Sequence, residues 1–362
     1  MKRASIKDLA RIANVSHSTV SRALSRNPLV NQATAERIRR LADEHGYRPS
    51  AAARSLVTSR TATVGVVVTN ITDPFAAEVV SGIEEAALEH DYSVFLANSN
   101  AEPAREVKVV RSFEERRVDG VIVTSSRVGR VYAGLLAKAE VPIVLLNNQH
   151  PGEFLHSVMI ANPEAATEAV QHLLALGHRR IAYVGDRLGR QSDTERFAGY
   201  RVALDYADVP FCPEYVVHGD GKPEGGGAAM RRLLALDEPP TAVFCYNDMT
   251  ALGAMRAIRD AGLRIPEDVS VVGFDDLFVA RYMDPPLTTV RQPMRRMGRM
   301  AFETLHSLVS DAGSGQNIKV PGELIVRQST APVRKEISCN FSTAPKSTAG
   351  GSNVSDSNIS GS

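Results

Sequence analysis

Hydrophobic residues recur at helical spacing along the first sixty positions of the chain. A stripe from Ile6 to Ala13 follows Ser5, a residue type that commonly caps helix N-termini, and Asn14, which tolerates left-handed backbone, interrupts it. The same spacing predicts a second helix over residues 16–24, a third that begins after Asn31 and stops near residue 46, and a short fourth over residues 50–56. The first part of the chain is therefore expected to be a small all-α module.

From residue 63 onward, short apolar runs alternate with amphipathic segments. The runs predict strands at residues 64–68, 94–96, 121–124, 143–146, 181–185, 215–218, 242–245 and 269–273. The amphipathic segments predict helices over residues 75–90, 103–116, 163–176, 196–207, 226–236 and 249–261. Such alternation favours an α/β body of parallel sheets flanked by helices, and two wound halves divided near residue 162 fit the length better than one sheet.

Changes in composition divide the chain into three parts. Residues 58–61 are linker-like, and residues beyond 334 are rich in Ser, Thr, Asn and Gly with few large apolar side chains. We therefore predict a headpiece over residues 4–58, with a hinge helix at about 50–58, a body over residues 61–332 and a disordered tail over residues 335–362. No function is assigned to the tail.

The overall composition narrows the class of protein. Hydrophobic residues make up 43% of the chain and charged residues 23%, which is ordinary for a globular protein, and the apolar runs are strand-length. The basic start lacks the apolar core of a signal peptide, and three widely spaced cysteines give neither a disulfide framework nor a zinc site. We expect a cytoplasmic protein with no metal or cofactor.

The net charge of +1 conceals a strong asymmetry along the chain. Residues 1–60 carry twelve Lys and Arg against four Asp and Glu, a net charge of +8, and the other 302 residues therefore carry −7. A small basic module joined to a larger acidic body is typical of a polyanion binder with an attached regulatory or catalytic part. The alternative is a solvated basic end of the chain.

Two short helices joined by a tight turn within this basic module suggest a helix-turn-helix. The polar side of the second helix presents side chains that can donate to or accept from base edges and phosphates: His17, Ser18, Thr19, Ser21 and Arg22. A small helical bundle with a polar surface helix is the alternative.

Signals for catalysis are weak. The sequence contains neither a Gly-x-Ser-x-Gly elbow nor a Walker A loop, and the glycine run at residues 219–225 includes Pro223 and lacks the acidic residue of a dinucleotide-binding fingerprint. We interpret a cluster of arginines as a solvated or subunit-facing helix surface: Arg291, Arg295, Arg296 and Arg299. We therefore predict that the protein is not an enzyme.

Several ordered motifs resemble those of the lactose-repressor (LacI/GalR) family. In the headpiece they are residues 5–10 (SIKDLA), 15–22 (VSHSTVSR), 46–49 (GYRP) and 53–56 (ARSL). In the body they are residues 176–181 (LGHRRI), 195–200 (ERFAGY), 247–248 (ND), 270–276 (SVVGFDD) and 286–290 (PLTTV). The resemblance spans residues 4–332. It implies a transcription regulator, most often a repressor, whose two-lobed body is like a periplasmic sugar-binding protein, holds a small effector between its lobes and dimerises on pseudo-palindromic operators.

The resemblance also assigns DNA contacts. It implies that His17 and Ser18 read bases in the major groove, that Arg22 contacts a base or phosphate, and that the Leu56 side chain wedges into the minor groove. A hinge helix this short should order only on DNA. The full predicted set of DNA-contacting residues is Ser5, Ser16, His17, Ser18, Thr19, Ser21, Arg22, Asn31, Ala53, Arg54 and Leu56.

For the effector, the resemblance implies that Arg196, Asn247 and Asp275 are the main polar ligands. The rest of the predicted set is Asp73, Phe75, Asn147, Arg190 and Ser192. These residue types suit sugar hydroxyls or a polar heterocycle, but Gly221 stands where relatives place an aromatic residue, so a stacking platform for a ring is missing. Inducer and corepressor roles stay open, and the rival hypothesis is a sugar-metabolising or sugar-carrying protein with a basic N-terminal module.

Overall fold

The computed structural model describes residues 4–24, 28–47, 60–126, 141–147, 156–310 and 317–334. The first two ranges contain three helices, α1 (Ile6–Ile12), α2 (His17–Leu24) and α3 (Gln32–Glu44). Leu9, Val20 and Ile38 are fully buried in the core that these helices share. The predicted all-α headpiece is therefore confirmed for its first three helices.

Short polar side chains begin and end these helices, as predicted. Ser5 Oγ accepts a hydrogen bond from Asp8 N at 3.2 Å, and Asp8 Oδ2 accepts one from Ser5 N at 3.0 Å, a reciprocal cap of α1. Asn14 has a left-handed φ of 51° between α1 and α2. At the start of α3, Asn31 Oδ1 accepts from Ala33 N at 2.9 Å.

Two predictions fall outside the described residues. One is the hinge helix at about 50–58, with Ala53, Arg54 and Leu56, and the other is the disordered tail over residues 335–362. Both stay predictions.

The body alternates strands and helices. In chain order the strands are β1 (Thr63–Val68), β2 (Ser93–Asn98), β3 (Gly120–Thr124), β4 (Ile143–Leu146), β5 (Ser157–Ile160), β6 (Ile181–Asp186), β7 (Val216–Gly219), β8 (Ala242–Cys245), β9 (Ser270–Asp275), β10 (Thr288–Arg291), β11 (Asn317–Val320) and β12 (Glu323–Ile325). The helices are α4 (Pro74–Glu89), α5 (Pro103–Glu115), α6 (Asn162–Ala175), α7 (Gln191–Tyr206), α8 (Pro223–Leu234), α9 (Asp248–Asp260) and α10 (Met294–Val309). Within the described residues, no helix combines the length and apolarity that a bilayer span needs.

The strands form two six-stranded sheets, one in each lobe. The first has the order β11-β5-β4-β3-β1-β2 and is parallel throughout. The second has the order β12-β10-β9-β8-β6-β7 and is parallel except for the antiparallel pair β10–β12. Central strands such as β3 and β8 are buried along their whole length, which explains why they read as continuous apolar runs. The predicted fold class is confirmed.

The chain passes between the lobes three times within the described residues. The first passage, from β5 to α6, agrees with the predicted division near residue 162. The sequence does not predict the two later passages, from β10 to α10 and from β11 to β12. Helix α10 packs against α4 so closely that a Cβ on Gly298 would lie 2.1 Å from Val79 O. Helix α10 and strand β11 therefore complete the first lobe, before the chain goes on to β12 in the second.

The arginine cluster has more contacts than a solvated helix surface. Arg291 ends β10 rather than lying on α10, and it pairs with Asp276 at 2.8 Å. On α10, Arg295 binds Glu78 at 2.8 Å, and it also contacts Glu85. In addition, Arg299 Nη1 binds Glu89 at 2.6 Å. These three arginine side chains are partly exposed, which agrees with the predicted solvated surface. They also bind carboxylates of their own chain, which was not predicted.

Candidate functional site

A cleft lies between the two lobes at the carboxyl ends of their strands. Its larger cavity has a volume of about 560 Å³ and is lined by residues of both lobes, and a smaller cavity of about 60 Å³ adjoins it. The residues common to the two cavities are Thr69, Asp73, Arg190, Asn247 and Asp275. Open α/β sheets bind ligands at this edge, because side chains that follow neighbouring parallel strands converge there.

All eight residues predicted to bind an effector line the smaller cavity: Asp73, Phe75, Asn147, Arg190, Ser192, Arg196, Asn247 and Asp275. They come from both lobes and lie up to about two hundred positions apart in the sequence. The fold thus brings the whole predicted set together.

Arg196 lies at the buried end of the cleft, with 3% of its surface exposed. Its Nε donates to Asn162 Oδ1 at 2.9 Å and its Nη1 to Tyr246 O at 2.6 Å. The guanidinium stacks on the Phe274 ring at 3.7 Å, and its Nη2 lies 3.8 Å from Asp275 Oδ1. These contacts on several sides hold the cation in one orientation.

Asp275, the last residue of β9, is the carboxylate that faces Arg196. Only 5% of its surface is exposed, and its φ of 122° is a conformation that side-chain-bearing residues rarely adopt. Gln292 Nε2 donates to Asp275 Oδ1 at 2.6 Å. Burial raises the pKa of Asp275 to about 7, because it outweighs the opposing attraction of Arg196.

Asp73 and Arg190 bring opposite charges to the cleft from different lobes. Asp73 Oδ1 caps α4 by accepting from Phe75 N at 3.0 Å. Burial raises the pKa of this carboxyl, while its bond with Phe75 and the charge of Arg190 oppose the rise. Arg190 Nη1 lies 3.2 Å from Asp186 Oδ2, so the guanidinium is fixed from its own lobe.

Asn247 and Ser192 are held by neighbouring groups. Asn247 Oδ1 caps α9 by accepting from Thr250 N at 2.8 Å, and its Nδ2 donates to Gly221 O at 3.1 Å. Ser192 Oγ lies 2.9 Å from the Tyr246 hydroxyl. Asn247 therefore also stabilises its own loop.

One prediction about local structure needs correction. Residues 190 and 192 were expected in a loop before a helix at 196; Arg190 precedes α7 as expected, but Ser192 lies within this helix, which begins at Gln191. Ser192 and Arg196 therefore share one helix face, four residues apart. Gly221, which stands where an aromatic platform is expected to be missing, has a φ of 75°, and a Cβ there would lie 3.2 Å from Arg190 Nη1.

Four residues that line the smaller cavity were not predicted: Thr69, Ser125, Tyr246 and Gln292. Tyr246 directly follows β8 and precedes Asn247, so its position at a strand end was an available signal. Gln292 follows β10, a strand that contains only one apolar residue, Val290, and so does not stand out in the apolar pattern. Its Oε1 is buried and accepts no hydrogen bond in the described structure, whereas its amide nitrogen binds Asp275.

The headpiece presents a second polar surface. His17, Ser18 and Arg22 are exposed on α2, while Thr19 and Ser21 are half-buried. Side chains at the start of such a helix can reach base edges when the helix lies in the major groove.

Three residues of the predicted DNA-contacting set also act as helix caps. Ser16 Oγ accepts from Thr19 N at 3.1 Å at the start of α2, and Ser5 and Asn31 cap α1 and α3. The N-terminal end of a helix favours anions, so these caps lie at positions where a DNA phosphate is favoured.

Comparisons with known proteins bear on both surfaces. Residues 5–50 match the family described as bacterial regulatory proteins, lacI family, and residues 170–330 match a periplasmic binding protein-like domain. The HTH-type transcriptional repressor PurR of Vibrio atlanticus is 35% identical over 328 residues, which cover 90% of this chain and 98% of the relative. The chain belongs to the lacI family. This result confirms the family identified from the sequence motifs.

Solved structures of lacI-family members agree in fold. The lac repressor dimer bound to operator and the anti-inducer ONPF superposes with a TM-score of 0.83 at 28% identity, covering 91% of this chain and all of that one. The complex of the transcriptional regulator CelR with cellobiose gives a TM-score of 0.69 at 32% identity, with 90% and 100% coverage. The lacI-family protein described here is thus a DNA-binding transcriptional regulator with an effector-binding body.

Proposed function

We propose that this regulator is a repressor whose operator affinity is set by a small polar effector held between its lobes. The observation that carries this proposal is the convergence of eight binding-type side chains, from both lobes, on one cleft. A ligand that contacts both lobes favours one arrangement of the lobes over another, and that preference is what allosteric control requires. Either induction or corepression is consistent with the cleft.

The effector that best suits the cleft is a polyhydroxylated molecule such as a sugar. Carboxylates at Asp73 and Asp275 accept from hydroxyl groups, and the buried Gln292 Oε1 offers another acceptor. At Gly221 the cleft has no aromatic ring on which a purine could stack, and the aromatic side chains of the smaller cavity are Phe75 and Tyr246. The likeness to a cellobiose-binding regulator supports the same class of ligand.

For DNA, the proposed boundaries are a headpiece over residues 4–58 and a body over residues 61–332. His17 and Ser18 read the operator in the major groove, and Arg22 adds a base or phosphate contact. Ser5, Ser16, Thr19, Ser21, Asn31, Ala53 and Arg54 complete the proposed contact set. Leu56 of the proposed hinge helix stabilises a kinked operator centre, and the hinge helices order only on DNA.

The proposed assembly is a homodimer in the cytoplasm. In β2, which ends the first sheet, Phe95 and Leu96 are exposed, and an apolar sheet edge of this kind is a surface on which a partner can pair. Phe278 and Tyr282, with ring centroids 4.9 Å apart, are 71% and 69% exposed. Similarity to the operator-bound lac repressor dimer supports a second copy of this chain as the partner.

A ligand screen followed by operator titration tests the proposal. Thermal unfolding of the full chain is followed with neutral mono- and disaccharides (cellobiose among them), sugar phosphates and nucleobases. Compounds that raise Tm are then added during titration of a selected operator library, and the compound is recovered and analysed. We expect a sugar to change operator affinity and to be returned unchanged. Turnover would favour the enzyme hypothesis, and stabilisation by nucleobases alone would contradict the sugar assignment.

A further inference from the structure

Asp275 and Asp276 are neighbours in the chain, but their carboxylates serve different parts of the molecule. Asp275 faces the cleft, whereas the Asp276 side chain is 2% exposed and lies between two arginines. Asp276 Oδ1 accepts from Arg327 Nη2 at 2.5 Å, and its Oδ2 accepts from Arg291 Nε at 2.8 Å. A bidentate carboxylate between two guanidinium groups is a strong, geometrically specific junction.

The two arginines belong to different segments that join the lobes. Arg291 ends β10, directly before the passage to α10, and Arg327 lies shortly after β12, which follows the passage from β11. Arg327 also donates through Nη1 to Leu287 O at 2.7 Å, which fixes its orientation. The Asp276 carboxylate therefore binds an arginine next to each of the two later passages between the lobes.

The first of these passages is also bonded to the effector carboxylate. Gln292 N donates to Asp275 O at 3.1 Å, and Gln292 Nε2 donates to Asp275 Oδ1 at 2.6 Å. The backbone between these contacts has positive φ values, 122° at Asp275 and 56° at Asp276. Such conformations persist only where the surrounding contacts hold them.

We propose that Asp276 is a positioning residue that transmits effector contact at Asp275 to the segments joining the lobes. An effector that bonds to the Asp275 carboxylate competes with the Gln292 hydrogen bond. The contacts that hold the positive φ angles at Asp275 and Asp276 then change. Asp276 then moves with both passages, because Arg291 and Arg327 hold it to them. Packed contacts of this kind have discrete arrangements, so a small shift at the site can select between two lobe orientations.

The test separates effector affinity from effector response and rests on the proposed function. Asp276→Asn keeps the shape of the side chain but removes its charge. The matched control is Asp268→Asn, because Asp268 also binds two arginines, Arg264 at 3.0 Å and Arg334 at 3.5 Å, but these partners flank neither of the two later passages between the lobes. The probe is cellobiose, or the neutral sugar from the screen that most raises the parent Tm. Its Kd for free protein and the operator Kd with and without saturating probe are measured for each full-length protein.

We expect Asp276→Asn to reduce the probe-dependent change in operator Kd by about fivefold or more, with the probe Kd within about twofold of the parent. Asp268→Asn should behave like the parent. If Asp276→Asn does not fold, Arg291→Gln replaces it, since Arg291 is 42% exposed and Arg327 still holds Asp276 in that variant. An unchanged response in the folded variant overturns the inference. If no probe alters operator binding by the parent, the proposed function itself is overturned and this inference with it.

Discussion

The Arg196 guanidinium lies 3.8 Å from the Asp275 carboxylate, and the two side chains are only 4% and 7% exposed. Arg196 belongs to α7 and Asp275 ends β9, so the pair joins a helix to a strand end at the buried side of the cleft. A buried pair of this kind is stable only when further hydrogen bonds satisfy it. Asn162, Tyr246 and Gln292 supply those bonds here.

Arg196→Ala and Asp275→Asn should each weaken binding of the sugar found in the screen by two or more decades. Removal of one partner of a buried charged contact costs about 2–5 kcal/mol. Operator affinity without sugar should stay close to that of the parent, since the headpiece is untouched. Calorimetric titration measures sugar binding. Arg256→Ala is the control, because Arg256 is 78% exposed and binds only an exposed Asp260. If both cleft variants bind the sugar with the parent's Kd, the effector site lies elsewhere.

Stability should depend on pH through Asp275. Burial raises its pKa from 3.8 in the unfolded chain to about 7 in the folded protein, so the folded state binds the proton more tightly. Its contribution to the free energy of unfolding is therefore full at low pH and falls as the pH rises from about 4 to about 7. Asp275→Asn should lose that part of the slope, which denaturant titrations at about pH 5 and about pH 8 measure. A variant with the parent's pH dependence would show that Asp275 does not titrate in this range.

Asp119 should stabilise the point where the chain from the headpiece joins the first lobe. Its carboxylate accepts from Thr61 N at 2.7 Å, Thr61 Oγ1 at 2.8 Å and Ala62 N at 2.9 Å. Asp119→Ala leaves these donors without their acceptor and should lower the free energy of unfolding by about 1–3 kcal/mol. Hydrogen exchange at Thr61 and Ala62 amides should accelerate, whereas Asp260→Ala should change neither quantity. Equal protection of the two amides in parent and variant would refute the anchoring role.

Paired substitution of His17 and Ser18 should change which operator the protein prefers. Each lost base contact costs about 1–3 kcal/mol, while the salt dependence of binding, which reports phosphate contacts, stays nearly constant. Titration against a randomised operator library at two salt concentrations measures both. Lys7→Ala is the control variant, because Lys7 is a basic and exposed residue of α1 rather than of the recognition helix α2. If the double variant prefers the same operator sequence as the parent, His17 and Ser18 do not read bases.

Tyr282→Asp should weaken the proposed dimer. The variant places a charge beside Phe278 on an exposed aromatic surface, where burial against a second copy would leave it without a partner. Sedimentation velocity over a range of concentrations measures the shift toward monomer. Tyr206→Asp is the matched control, since Tyr206 is 85% exposed at the end of α7. If the dimer weakens equally in both variants, or weakens in neither, the Phe278–Tyr282 surface has no specific role in dimerisation.

Local signals in the sequence determine much of this protein. Ser5 and Asn31 start the headpiece helices because their side chains cap backbone amides within three residues, and such bonds are visible in the sequence. The main strands of both lobes are short apolar runs, since parallel strands are buried on both faces. The predicted effector residues follow strand ends or begin helices, and parallel sheets bring such positions together at one edge.

Only the tertiary structure decided how the lobes are completed and joined. Strand β11 pairs with β5, which lies 160 positions earlier, and the Ser157 hydroxyl donates to Asn317 there at 2.7 Å. Gln292 reaches the cleft because β10 pairs with β9, and Arg327 reaches Asp276 only because the chain returns to the second lobe after β11. These bonds join residues that are distant along the chain, and the free energy that selects them comes from packing of whole lobes. A local pattern of apolar and polar positions does not contain that information.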